Sequence, residues 1–307
     1  MRTILTFFGL LLLALSIAAC GQGEDDDATV TLTASTTQAA DIARNVAGDR
    51  AEVVGLLSAG SDPHDYEPRP SDAEALIDSD LIVRSGGDVD EWLDQLIESA
   101  GSDAPELVLL DHVETLDVDG ETDPHWWQDP RNAILAAQAI RDELIAIDPE
   151  GRREYERNAA AYVAQLERLD REVATCMGEL PASDRKLVTS HDSLAYFADR
   201  YGIEVIGTAI PALTTQAQAS AGETAELVDL IRAEDVPASG KTAGVNPDLE
   251  EAIADEAGAV VGGELWADAL GPEDSGASTY IDATEMNAET LTSGLSRGSR
   301  FCTFVAG

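Results

Sequence analysis

From residue 150 to residue 178 the chain runs without proline and with glycine only at the ends, Gly151 and Gly178, before Pro181 stops the segment. Tyr155, Ala159, Tyr162, Leu166, Leu169, Val173 and Cys176 recur at spacings of three and four. That spacing lines them along one stripe of an α-helix and leaves the charges on the other faces. A helix of about 28 residues is about 42 Å long at 1.5 Å per residue, enough to run the length of two domains. It reads as a rigid backbone between two lobes.

On both sides of this helix, short β-rich runs alternate with amphipathic helices. Before it, VTLTAS, RAEVVGLL, DLIVRS and ELVLLD read as strands, separated by the helical patterns TQAADIARNV, SDAEALIDS and DEWLDQLIESA. After it come the strand KLVTSH, the helix DSLAYFADRYG, the strand IEVIGT, a helix over 216–233, the helix PDLEEAIADEAG, the strand AVVGGELWA and a last helix near 278–292. Such alternation implies parallel sheets with helical crossovers, an α/β fold. The boundaries follow: an N-terminal α/β lobe over 29–149, a linking helix over 150–180 and a C-terminal α/β lobe over 181–307.

The residues ahead of the first lobe read as an address. Arg2 precedes an apolar run from Ile4 to Ala19, too short to span a bilayer, and residues 1–19 read as a signal peptide. The run closes on Ile17-Ala18-Ala19-Cys20-Gly21, which resembles a bacterial lipobox: small residues admit a peptidase, and Cys20 offers a thiol for lipid. The expected mature chain is held outside the cytoplasmic membrane by acyl chains on Cys20, with residues 20–28 as a polar tether. A net charge of −40 excludes nucleic acid as a partner, because phosphate binding needs a basic surface. Beyond Cys20 only Cys176 and Cys302 remain, in a compartment that permits a disulfide between them.

Three of the four histidines lie where strands end or helices begin, the places at which open parallel sheets collect ligands. His64 follows RAEVVGLL in the loop SAGSDPH, His125 sits in DPHWWQDP, and His191 ends KLVTSH. Two are introduced by Asp-Pro, which stiffens the presenting loop, and imidazole is the commonest biological ligand for zinc. His112, in LLDHVE, lacks such framing and reads as an ordinary surface residue. A tetrahedral site wants a fourth ligand. Asp268 follows a strand and precedes a Gly-Pro turn, while Glu264, Glu273 and Asp274 compete with it on chemistry alone. Asp123, Asp129 and Asp192 are near enough in sequence to orient an imidazole, and Trp126 and Trp127 to wall a cleft.

DPHDYEPRPSD, LIVRSGGDVDEWL, DPHWWQDPRNA, VTSHDSLAYFADRYGIEVIG and DALGPEDSGASTY together resemble the zinc and manganese solute-binding proteins of bacterial ABC importers, in order from about residue 28 to 292. The resemblance implies two Rossmann-like lobes joined by one rigid helix, with metal held between them by His64, His125, His191 and Asp268. It also implies an ABC permease and its ATPase as partners, a monomer, and Zn²⁺ as the cargo. Manganese-type members place glutamate at the third histidine position; here that position is His191, and three imidazoles with one carboxylate suit zinc better on ligand softness. No bond chemistry is expected, because four protein ligands close the coordination sphere. The alternatives are a manganese-binding homologue, an adhesin on the same scaffold, or a zinc hydrolase with Asp268 as base.

Two departures accompany the resemblance. The acidic loop DVDGETD, 117–123, stands where many zinc members carry a histidine-rich loop, and VPASGKTAGV is polar where the family places a buried apolar strand. Two enzyme motifs fail on context. Gly294-Leu295-Ser296-Arg297-Gly298 lies too near the C-terminus for an acid and a histidine to follow, and Gly240-Lys241-Thr242 lacks the leading glycine of a phosphate loop.

Overall fold

The computed structural model describes residues 30–118, 120–236, 238–243 and 247–304. The expected signal peptide, Cys20 and the tether lie outside the described residues. The first half of the chain runs β1 (Val30–Ala34), α1 (Thr37–Ala47), β2 (Ala51–Gly55), α2 (Pro70–Ile77), β3 (Leu81–Arg84), α3 (Trp92–Ala100), β4 (Glu106–Val108), a small hairpin of β5 (Asp117–Val118) and β6 (Glu121–Thr122), and α4 (Pro130–Ile147). After α5 (Arg152–Gly178) come β7 (Lys186–Thr189), α6 (Ala195–Tyr201), β8 (Glu204–Thr208), α7 (Ala221–Glu234), β9 (Ala238–Thr242), α8 (Asp248–Ala257), β10 (Val260–Leu265) and α9 (Tyr280–Leu295). Two parallel sheets result, ordered β2-β1-β3-β4 and β10-β9-β7-β8. The strand order reverses beside β1 in one sheet and beside β7 in the other, so each sheet opens a crevice at its carboxyl edge.

The stripe read from the sequence is the buried face of α5: Tyr155, Ala159, Tyr162, Leu166, Leu169, Val173 and Cys176 are all buried. Polar bonds fix the helix to both halves. Asn158 donates to the Val46 carbonyl at the end of α1 (3.2 Å), whereas Asp170 accepts two bonds from Arg200 of α6 (2.8 and 2.6 Å). One continuous apolar core includes Leu32 and Val83 of the first sheet, Leu166 and Val173 of α5, Leu187 and Leu265 of the second sheet, and Leu291 of α9. Cys176 of α5 and Cys302 form a disulfide with Cα atoms 5.4 Å apart, tying the segment after α9 to the long helix.

Some expectations shift. The helix expected over 216–233 begins only at Ala221, because the Ser220 hydroxyl accepts from the Glu223 N–H (3.3 Å) while Glu223 accepts from the Ser220 N–H (2.7 Å). Residues 209–220 are therefore free to act as a loop. The polar segment VPASGKTAGV does carry a strand, β9, between β10 and β7. Gly240 makes room there for the Leu265 side chain of β10: a Cβ at Gly240 would lie 2.5 Å from Leu265 Cδ1. Lys241 and Thr242 thus belong to a strand and not to a phosphate loop, and Gly294 to Leu295 form the last turn of α9. The strand expected over 106–111 stops at Val108 and tightens into a 3₁₀ turn, Leu109–His112, leaving His112 exposed. The acidic loop 117–123 contains the β5–β6 hairpin, with Gly120 at φ +91°, a conformation open to glycine.

Candidate metal centre

Each candidate ligand leaves the carboxyl side of a sheet on a loop that polar bonds hold in place. His64 follows β2, and its N–H donates to Asp62 Oδ1 (2.9 Å). His125 follows the β5–β6 hairpin; its N–H and its Nδ1 both meet Asp123 Oδ1, at 2.9 and 2.7 Å. His191 follows β7, where the Thr189 hydroxyl donates to the His191 carbonyl (2.8 Å) and the Ser190 hydroxyl accepts from the Thr242 N–H of β9 (2.9 Å). Asp268 lies beyond β10. The preceding carbonyl, Ala267, accepts from Trp127 Nε1 (2.8 Å) and Gln128 Nε2 (2.7 Å), so the first half of the chain fixes the backbone next to an acid of the second.

These loops bring His64, His125, His191 and Asp268 together, each offering one ligand atom, with all four atoms within 4.8 Å of one another. His64 Nε2 and His125 Nε2 are 3.2 Å apart, His191 Nε2 and Asp268 Oδ2 3.5 Å, and His125 Nε2 and Asp268 Oδ1 3.8 Å. Ligands about 2.0–2.1 Å from a tetrahedral ion are about 3.4 Å apart, so this spacing is that of donors arranged around a common point. The four side chains are shielded from bulk solvent: relative exposures are 7 % for His64, 0 % for His125 and His191, and 1 % for Asp268. Both oxygens of Asp268 and both ring nitrogens of His191 are buried without a hydrogen-bond partner. Buried carboxylates are not ordinarily left so, and a cation supplies the missing partner.

Electrostatics agree with that chemistry. Burial, and then the neighbouring His125, push His64 and His191 down to about 3, so both imidazoles are neutral ligands at physiological pH. For His125 burial works the same way, but the hydrogen bond and charge of Asp123 outweigh it and raise its proton affinity. Burial pushes Asp268 up to about 6, with the His125 and His64 imidazoles pulling against it. The structure thus selects among the aspartates that could orient an imidazole. Asp123 does so; Asp129 instead caps α4 through the Arg131 N–H (2.8 Å) and pairs with the Arg131 guanidinium. Asp192 donates its backbone N–H to the Ala212 carbonyl (3.0 Å). Trp127 stands edge-on to His125 with ring centroids 5.4 Å apart, and Trp126 packs against Trp127 and donates to the Ser85 carbonyl (3.1 Å). Glu264, Glu273 and Asp274, the acids that compete with Asp268 on chemistry, are exposed and outside the cluster.

Some residues at the site carry no sequence motif. Gln128 has only its adjacency to Trp127 as a signal. Gln216 opens the stretch expected to be helical and Thr215 precedes it, yet both reach the loop of His64: the Thr215 hydroxyl donates to Asp62 Oδ2 (2.6 Å), and Gln216 Nε2 donates to the His64 carbonyl.

Residues 32–294 match the family described as ZnuA, zinc-uptake complex component A, periplasmic. The chain is 31 % identical over 303 residues to the manganese-binding lipoprotein MntA of Halalkalibacterium halodurans, covering 97 % of this chain and 100 % of that protein. It is 29 % identical to the iron-binding protein YfeA of Yersinia pestis, covering 95 % of this chain and 94 % of the relative. Among solved structures it resembles the periplasmic zinc-binding protein TroA from Treponema pallidum, with a TM-score of 0.81, 27 % identity, and coverage of 87 % of this chain and 99 % of that one.

Proposed function

This chain belongs to the family of the periplasmic A component of zinc-uptake complexes, and on that premise we propose that it is a carrier whose cargo is Zn²⁺. As a member of that family it is a metal-binding, extracytoplasmic substrate-binding protein of an ABC importer. The observation that carries the zinc reading is the donor set: three imidazoles and one carboxylate, buried, spaced for a tetrahedral ion and with the carboxylate otherwise unpartnered. Nitrogen-rich sets of this kind favour zinc over manganese, which prefers more oxygen. His64 and His125 from the first half, with His191 and Asp268 from the second, close the coordination sphere. No position is left for a reactive water, so the protein carries the ion without acting on a substrate. It works as a lipid-anchored monomer, held by Cys20 on the outer face of the cytoplasmic membrane, and hands the ion to a permease driven by its ATPase. Among the described residues no helix is long and apolar enough to cross a membrane.

A second reading, manganese as cargo, is favoured by the name of the Halalkalibacterium relative. Elemental analysis of protein purified without added metal, followed by competition between zinc and manganese, separates the two. Zinc retained against an excess of manganese is the expected result. Preferential loading with manganese would overturn the zinc assignment.

A further inference from the structure

The loop that carries His64 belongs by sequence to the first half of the chain, yet the second half holds it at three points. The Gly60 N–H donates to the Leu270 carbonyl (2.8 Å), the Thr215 hydroxyl donates to Asp62 Oδ2 (2.6 Å), and Gln216 donates to the His64 carbonyl itself. Asp62 relays the second of these directly, because its other oxygen accepts the His64 N–H (2.9 Å). From its own side the loop is held by Trp92, whose Nε1 donates to the Pro63 carbonyl (3.2 Å). His64 Nδ1 has no hydrogen-bond partner, so no acceptor fixes its ring as Asp123 fixes that of His125, and the bonds to its loop carry that constraint.

We propose that Thr215 and Gln216 form a latch across the cleft that positions His64, and that this latch sets how long the ion stays bound. The inference rests on the carrier reading for its second part only. The mechanical argument is direct. Separation of the two halves on this side breaks the Thr215–Asp62 and Gln216–His64 bonds along with Gly60–Leu270, and His64 then loses the constraints from the second half that help keep Nε2 aimed at the ion. His125 and His191 have anchors within their own halves, Asp123 and the Thr189–Ser190 turn, and keep their orientation. His64 is therefore the ligand that departs first. Asp62, Thr215 and Gln216 also line a cavity of about 800 Å³, so the latch bonds border open space and break without disturbing the core.

The test uses the full chain loaded with zinc and mixed with an excess of a chromophoric chelator. Thr215→Val keeps the shape of the side chain and removes the hydroxyl, losing a hydrogen bond to a charged acceptor; zinc release should accelerate by about tenfold or more. Thr215→Ser restores the hydroxyl and should release at the wild-type rate, whereas Gln216→Ala should accelerate release as Thr215→Val does. Wild-type release from Thr215→Val, or equally fast release from Thr215→Ser, overturns the latch. Hydrogen exchange of residues 59–66 in the metal-free chain supplies a readout independent of the cargo. Faster exchange in Thr215→Val than in Thr215→Ser is expected, and equal exchange overturns the positioning role. An unaltered chain that binds no zinc overturns the carrier reading and the residence-time claim together, while the exchange result still decides whether the latch positions His64.

Discussion

Replacing Asp123 by asparagine isolates what a single buried charge does for the site. Asp123 Oδ1 accepts from His125 Nδ1 at 2.7 Å and from the His125 N–H at 2.9 Å, and the carboxylate is fully buried. The ring bond leaves Nε2 as the nitrogen that faces the other ligands, 3.2 Å from His64 Nε2. Asparagine keeps the volume but removes the charge, and its amide can donate as well as accept, so the ring is no longer held to one tautomer. Partners of this kind contribute about 10–100-fold to metal affinity. That corresponds to about 1.4–2.7 kcal/mol. The same charge raises the proton affinity of His125, so protons compete with the ion at that ring in the unaltered protein and less so in Asp123→Asn. The deficit should therefore be widest near pH 8 and narrow on acidification. Competition against a chromophoric zinc chelator at two pH values measures both effects. A zinc affinity unchanged at pH 8, or a deficit that widens as pH falls, would refute the reasoning.

Two further outcomes are expected. Zinc affinity should fall as pH drops to about 6 and below, because His125, its proton affinity raised by Asp123, and Asp268 take up protons that the ion must displace, while His64 and His191, held at about 3, add nothing until far lower pH. Calorimetry showing constant affinity from pH 7 to pH 5 would contradict this. Cys302→Ser should destabilise the fold by roughly 2–5 kcal/mol, the upper end being the chain-entropy value for a closure of this span. The span is 126 residues. Urea unfolding with coincident midpoints for variant and parent would rule the contribution out.

The sequence revealed the site and the fold to different depths, for physical reasons. The three histidines of the cluster were legible because scarcity and punctuation mark them: few histidines, two of them introduced by Asp-Pro. The choice of Asp268 over Glu264, Glu273 and Asp274 needed the family resemblance, since in a chain this acidic no carboxylate stands out. The α5 stripe was legible because a long amphipathic helix repeats its signal over many turns. Strand β9 was not, because its place in the sheet is set by parallel pairing with β10 and β7, segments distant in sequence. Asp123 could be named from sequence but not ranked above Asp129 and Asp192, because ranking needs the distance to a ring nitrogen. Gln216 was hidden at the start of an expected helix, and Thr215 just ahead of it, until the Ser220–Glu223 cap showed where that helix begins.

The unbroken α5, with its apolar face in a core shared by both sheets, has a consequence for how the molecule comes apart. Neither half owns a complete interior: Leu166 and Val173 are packed in the same cluster as Leu32 on one side and Leu187 on the other. Cutting the polypeptide after residue 180 would not liberate two autonomous folding units, because each fragment would present its share of that interior to water. Heat or denaturant should consequently dismantle the described molecule in a single cooperative event.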